Sequence, residues 1–427
     1  MQKLALIVIF SSLLFSQTLN QVIRTALRHS PIIKQRKLEI KEAQLKKKKA
    51  VASKYGELDI VGSYTHYNIE RTLAPLPPSA MKSPTPPTTT KDIYSIGLNY
   101  SVPLFTGFAQ TREIEIANLA RELSRAKLKI TKEELIYNIK SLYTTILSLK
   151  ELYRAQKNYT KALYSLKRKV ALGVKYGKLP EIDLIKIDSE ISASKVNEEM
   201  FKSNIEVTKA TLSSIVGKEV RGVAPIRFRV KRPRYSVKRL YKEILKTQKV
   251  RIDEISIEKA KKGIKKAQAL KYPQVALNAY GGKNFGKDIN TDDWDSETIW
   301  QVGVNVKYTL SDFGKRDATI ELAKVGKIKA SLKKQQTLLE LKKSLVKAVS
   351  DLKLNYNQYL GNLSSYRLSK KSKEIEEVRY ESGVVDINDL LLARAKTQLA
   401  RAKVIQSKYE YLKSRYLLDY VLERGEK

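Results

Sequence analysis

From Trp300 to Leu310 the chain alternates without a break. Trp300, Val302, Val304, Val306, Tyr308 and Leu310 are apolar, with Gln301, Gly303, Asn305, Lys307 and Thr309 between them. A period of two sends these sets to opposite faces of one strand. Tyr94 to Leu104 repeats the pattern, with Ile96, Leu98, Tyr100 and Val102 on one face and Ser95, Gly97, Asn99 and Ser101 on the other. Leu58–Tyr67 and Gln274–Gly281 are weaker versions, so the pattern predicts two hairpins, at about 57–105 and 274–310. Elsewhere the apolar spacing is helical. No proline interrupts Gly107 to about Leu172, or Lys315 to about Tyr380, which predicts helices of roughly 65 residues, about 100 Å each. Four runs of roughly 35 residues flank them, at Leu19–Lys54, Ile182–Val216, Val237–Lys271 and Ile387–Glu423. Two such runs stacked end to end match one long helix. Lys and Glu mixed with Leu, Ile, Ala and Tyr is the composition of a coiled-coil wall wetted on both sides. The expected class is mainly α, with a small amount of β.

The chain also repeats itself. Gly177, Asp183 and Leu184 recur 206 residues later as Gly383, Asp389 and Leu390, and Ile116-Ala117 recurs at the same offset as Leu322-Ala323. Lys54-Tyr55 recurs as Lys271-Tyr272 at an offset of 217. Two equivalent halves, residues 17–217 and 237–427, are joined by a linker at 218–236. The slip of about ten residues falls in the hairpin loops. The first loop carries Pro75, Pro77, Pro78, Pro84, Pro86 and Pro87, which excludes helix and regular strand. The second, Asp288–Glu297, is acidic but has Asp293 and Ile299 where a calcium loop needs glycine and glutamate, so no metal is expected.

Composition narrows the chemistry. The 427 residues include no cysteine and two histidines, which removes disulfides and thiolate metal sites. No nucleophile–base pair or glycine-rich phosphate loop is visible, so neither a catalytic residue nor a cofactor is expected. The net charge of +38 raises nucleic acid binding or a basic scaffold as a rival reading. The cations are spread along helices and interleaved with Glu, as solvated faces are. Residues 1–16, with Lys3 before an apolar Leu4–Phe10 run, read as an export signal too short to span a bilayer.

Alternation alone fits a soluble sheet and a membrane sheet equally well. The export signal tips it toward an outer-membrane barrel, whose strands need about 9–11 residues. Tyr94, Phe105, Trp300 and Tyr308 then stand where an interfacial aromatic girdle sits. Four strands cannot close a barrel and lipid tolerates no open edge, so the chain must oligomerise. Two copies supply eight strands and three supply twelve.

With its two hairpins, its Pro103-Leu104-Phe105-Thr106-Gly107 and Leu310-Ser311-Asp312-Phe313-Gly314 strand-to-helix junctions and its two Gly/Asp-Leu turns, the sequence resembles the TolC-type outer-membrane efflux proteins. The resemblance covers essentially the whole mature chain. It implies a homotrimer sharing a 12-stranded β-barrel in outer-membrane lipid, continued by a helical tunnel through the periplasm. It also implies a periplasmic adaptor protein and an inner-membrane transporter as partners. Residues Gly177 and Gly383 fall in the helix–helix turns at the closing end of that tunnel. The family gate uses an aspartate near the first turn, a tyrosine before the second and acidic residues beyond it; Asp183, Tyr380 and Asp389 hold those places. The resemblance therefore implies a hydrogen bond from the Tyr380 hydroxyl to Asp183, and three Asp389 carboxylates around one axis. The same aspartates also suit helix N-termini. Leu392 and Val385 replace polar family positions. The function implied is a passive exit duct for efflux or type I secretion; the rivals are the adaptor itself and a basic coiled-coil scaffold.

Overall fold

The structure is a computed structural model describing residues 16–78 and 87–425. Apart from Ser16, the export signal lies outside the described residues, as does the centre of the proline-rich loop. Each half runs helix, helix, hairpin, long helix, helix. The first half contains α1 (Leu19–His29), α2 (Pro31–Ala52), β1 (Glu57–Thr72), β2 (Thr89–Phe105), α3 (Ala109–Lys175) and α4 (Ile182–Val216). The second contains α5 (Val237–Ile244), α6 (Gln248–Gln268), β3 (Gln274–Lys287), β4 (Trp294–Lys307), α7 (Lys315–Glu381) and α8 (Ile387–Val421). Helices α3 and α7 each hold 67 residues and α4 and α8 each hold 35. The chain is mainly helical with one small antiparallel sheet, as the periodicity predicts.

Two compact units cut across the halves. One takes Glu39–Arg125 and Ile252–Lys334; the other takes the chain up to Leu38, Ala126–Arg251 and everything from Gln335. Each unit thus draws on both copies of the repeat.

The first unit carries the sheet, a meander in the order β1-β2-β3-β4. Register sorts its faces. Leu58 lies opposite Tyr100, Tyr100 opposite Ala279, and Ala279 opposite Val302; the next row is Ile60, Leu98, Gly281 and Trp300. Asp59, Asn99, Tyr280 and Gln301 form a row on the other face. The apolar face is bare, with Ile60 78% and Trp300 77% exposed. Among the described residues nothing pairs with the outer edges of β1 and β4.

Two expectations for the sheet need correction. β4 begins at Trp294, so Trp300 sits at mid-strand, and Tyr308 lies one residue past its end. The mixed segment Trp294-Asp-Ser-Glu-Thr-Ile299 pairs fully with β3 despite its charges, because backbone pairing does not require a clean alternation. Pro103 lies inside β2, beyond the last pairing with β1 at Ser101 and beside a register shift against β3. That is where a residue without an N–H fits.

The strand-to-helix junctions are built from paired left-handed residues. Gly107 and Phe108 have φ of 61° and 68°, and Phe313 and Gly314 have 53° and 90°. At an offset of 206, Gly107 corresponds to Phe313 and Phe108 to Gly314, so Gly107 and Gly314 are not equivalent positions. A Cβ on Gly107 would meet the Ala269 carbonyl oxygen at 2.5 Å.

The second unit has three apolar clusters. One gathers α3 around Tyr143 and Ile146 with Val22 of α1 and Leu212 of α4; another gathers Leu345 and Leu352 of α7 with Ile244 and Leu418. The third joins Leu163, Leu166 and Val170 of α3 to Ile187 and Ile191 of α4 and to Ile387 and Leu390 of α8. It underlies the helix turns. Among the described residues no helix is long and apolar enough to cross a membrane.

Candidate functional site at the paired helix turns

The two helix–helix turns are copies of one hydrogen-bonded motif. After α3, the Gly177 N–H donates to the Val174 carbonyl at 2.9 Å and Lys178 N–H to that of Gly173 at 2.8 Å. After α7, Gly383 N–H donates to Tyr380 at 3.0 Å and Val384 N–H to Arg379 at 2.9 Å, each bond shifted by 206 residues. This is a Schellman closure, which needs a left-handed residue after the helix. Gly177 and Gly383 supply it at φ of 67° and 73°, with nothing within 4 Å of a Cβ at either. Conformation alone asks for glycine there.

Beyond the turns the two halves diverge. Asp386 is the cap of α8: its carboxylate accepts from Asn388 N–H at 2.7 Å and Asp389 N–H at 3.1 Å. Those N–H groups hold its pKa below the ordinary carboxylate value. Asp389, which sequence placed at the cap or on a pore axis, is exposed in the first turn of α8. Asp183, its counterpart, is buried at 6% exposure. Burial pushes the Asp183 carboxyl up; Lys186 opposes this and Asp386 adds to it.

Tyr380 packs against the third cluster, beside Leu179 and Leu184. Its hydroxyl is buried and has no hydrogen-bond partner among the described residues, so the expected bond to Asp183 is not formed. Burial, and then the Asp183 charge, raise its pKa. Apolar contact positions this ring, and the two polar ends are left close but unjoined.

A cavity of about 770 Å³ adjoins the turns, lined by Tyr159, Tyr366, Tyr380, Glu377 and Arg394 among others. Arg394 of α8 reaches Glu377 of α7 at 2.7 Å, and the Tyr159 hydroxyl of α3 donates to Glu190 of α4 at 3.0 Å. Further along, Gln156 donates to the Ser194 hydroxyl at 2.8 Å and accepts from Gln398 at 3.0 Å. Gln156, Thr160 and Ser194 are all buried, so α3, α4 and α8 share a polar layer inside an apolar seam. Sequence reading missed Asp386, Arg394 and this layer. Only Asp386 carried a signal, an Asp three residues after the turn glycine Gly383 and just ahead of an apolar helical run.

In the sheet, Tyr94 lies between Tyr64 and Trp294 and is tilted to both, with ring centroids 4.9 Å and 5.6 Å away. Phe105 closes β2 against Phe108, edge on at 5.5 Å. Trp294 and Phe105 thus stand at strand ends, while Trp300 lies at mid-strand.

The sequence profile described as "outer membrane efflux protein" matches residues 22–218 and 240–422, once over each half of the duplication. The chain belongs to the outer membrane efflux protein family. Comparison with the curated proteins finds no match. Solved structures share its fold. The Campylobacter jejuni CmeC outer membrane channel is 18% identical with a TM-score of 0.78, over 95% of this chain and 86% of that one. VceC, an outer membrane protein of Vibrio cholerae, gives 16% and 0.76, over 95% and 96%. The Neisseria gonorrhoeae MtrE outer membrane channel, solved in its open state, gives 16% and 0.77, over 96% and 89%. In this outer membrane efflux protein the paired turns carry Asp183, Tyr380 and Asp386.

Proposed function

We propose that this outer membrane efflux protein is the passive exit duct of a tripartite efflux or type I secretion machine. Three copies join their sheets edge to edge into a twelve-stranded barrel in the outer membrane. The helices continue it as a water-filled tunnel through the periplasm, and an adaptor and an inner-membrane transporter supply recognition and energy. The duct makes and breaks no bonds. One observation carries the reading: four strands with a bare apolar face and two unpaired edges. Lipid is the solvent that such a face needs, and only closure with further copies satisfies the edges.

Opening and closing are assigned to the Gly177 and Gly383 turns, with Asp183 and Tyr380 setting how tightly α3, α4 and α8 pack there. Asp389, exposed beyond the second turn, is the residue placed toward the pore axis. The test is the purified full chain in a planar bilayer, with its migration on a gel before and after heating. Discrete channels and a heat-dissociated trimer are expected; a soluble monomer without conductance overturns the reading.

A further inference from the structure

Between the halves, Pro225 to Ser236 form neither helix nor strand, and from Ile226 to Lys231 the side chains alternate between half-buried and exposed. Ile226, Phe228 and Val230 turn inward onto the first two apolar clusters. Arg227, Arg229, Lys231, Arg232 and Arg234 are exposed. Among the described residues none of these five forms an ion pair, whereas Arg221 just before them is held by Glu219 at 3.2 Å. The ladder is fixed in place: the Tyr411 hydroxyl donates to the Lys231 carbonyl at 2.8 Å and accepts from the Lys231 N–H at 3.4 Å. The Phe228 ring packs against Tyr409 with centroids 5.8 Å apart. At its end a surface hollow of about 690 Å³ opens, where Arg232, Arg234 and Lys353 meet Tyr235, Tyr356 and Asn357, and no carboxylate lines it.

We infer that this ladder and hollow bind a carboxylate-bearing polymer of the cell wall. Alternate residues of an extended chain repeat every ~7 Å, so Arg227, Arg229 and Lys231 space their charges evenly, and Arg232 and Arg234 follow out of step with them on the same anchored track. A folded protein partner is a poorer fit, because interface centres are apolar and depleted in charge. Here Ile226, Phe228 and Val230 are turned away from the cations, onto the apolar clusters. The inference rests on the proposed periplasmic setting, where the cell wall is the extended polyanion at hand.

The experiment is co-sedimentation of the purified full chain in detergent with isolated insoluble sacculi. The variant Arg227→Gln/Arg229→Gln/Arg232→Gln/Arg234→Gln is expected to be retained roughly tenfold less, the loss of about four screened charge contacts. Lys41→Gln/Lys48→Gln/Lys49→Gln/Lys54→Gln removes as many cations from α2 and its end, and it is expected to bind as the parent does. Amidating the sacculus carboxylates, or raising salt tenfold, is expected to release the parent. Equal retention of ladder variant and parent overturns the inference, as does an equal loss in the α2 variant or undiminished binding to amidated sacculi. So does retention on vesicles of phosphate-rich lipid with none on sacculi. Conductance is read alongside: a parent that forms channels but does not bind sacculi sinks this inference alone, and a parent that forms no channels sinks the proposed function.

Discussion

Burial, and after it the Asp183 carboxyl, raises the pKa of the Tyr380 hydroxyl across the paired turns, yet that hydroxyl donates to nothing among the described residues. An orphaned buried hydroxyl costs free energy, and removing it is neutral or stabilising. Tyr380→Phe is therefore expected to leave thermal stability and single-channel conductance within about twofold of the parent. Tyr380→Ala removes the ring from the Leu163–Ile187–Leu390 cluster. It is expected to cost about 2–3 kcal/mol and to raise conductance, measured in a planar bilayer. A large rise with Tyr380→Phe alone would restore the hydrogen bond as the latch.

The pH dependence follows from Asp183. Its folded pKa is raised by burial and by Asp386, so its stabilising contribution is full below the unfolded value and is lost as pH rises through the folded one. Asp386 runs the other way. Its pKa is lowered, and its contribution is present above the unfolded value and lost as pH falls through the folded one. Asp183→Asn mimics the protonated form. The variant is expected to melt higher than the parent at about pH 7, by roughly 1–3 °C, with the gap closing toward about pH 4. A gap that does not change with pH would remove Asp183 as the titrating group.

Glu423 is the 206-residue counterpart of Gly217, and both are left-handed, at φ of 50° and 76°. The strained glutamate caps a helix, for its carboxylate accepts from Gln248 N–H at 2.6 Å and Lys249 N–H at 3.3 Å, at the start of α6. In the first half Pro31 opens α2 and has no N–H to satisfy. Glu423→Ala keeps the strain and loses the cap, and is expected to cost about 1–2 kcal/mol by denaturant unfolding. Glu423→Gly loses the cap but relieves the strain, and is expected to cost about 1 kcal/mol less than Glu423→Ala.

Val302 and Gln301 are neighbours on opposite faces of β4. Val302→Arg places a charge on the apolar face at a cost of about 2–4 kcal/mol in lipid, and is expected to deplete the heat-modifiable species in outer-membrane extracts. Gln301→Arg is expected to leave it intact. Equal depletion by both would mean that neither face meets lipid.

The fold was largely legible because its signals are long. Unbroken helical periodicity marked α3 and α7, clean alternation marked the hearts of β2 and β4, and repeated residues marked the halves. The edges were not legible where charge interrupts the pattern, as in Asp295 and Glu297 of β4. Asp183 and Tyr380 were found by analogy with a family, and nothing in sequence could show that apolar packing would keep them apart. Asp386, three residues from Asp389, takes the cap because the backbone leaves the turn one step earlier than the repeat alone implies. The basic ladder was hidden in a segment that looked like a linker, since alternation over so short a stretch also describes loops.

The equal lengths of α3 and α7 restrict how this chain can evolve. One inserted residue in a helix turns everything beyond it by about 100°, which would rotate the Leu163–Val170 stripe away from α4 and α8 and throw both Schellman closures out of phase. Insertions and deletions are thus confined to places without angular memory. The offset between halves falls from 217 to 206 across the hairpins, where β1 and β2 are joined by a long loop and β3 and β4 by a short one. Homologues are expected to vary freely in length at that loop while keeping the residue count from Ala109 to Gly177 and from Lys315 to Gly383, so the count behaves as a conserved quantity even where the residues themselves have drifted.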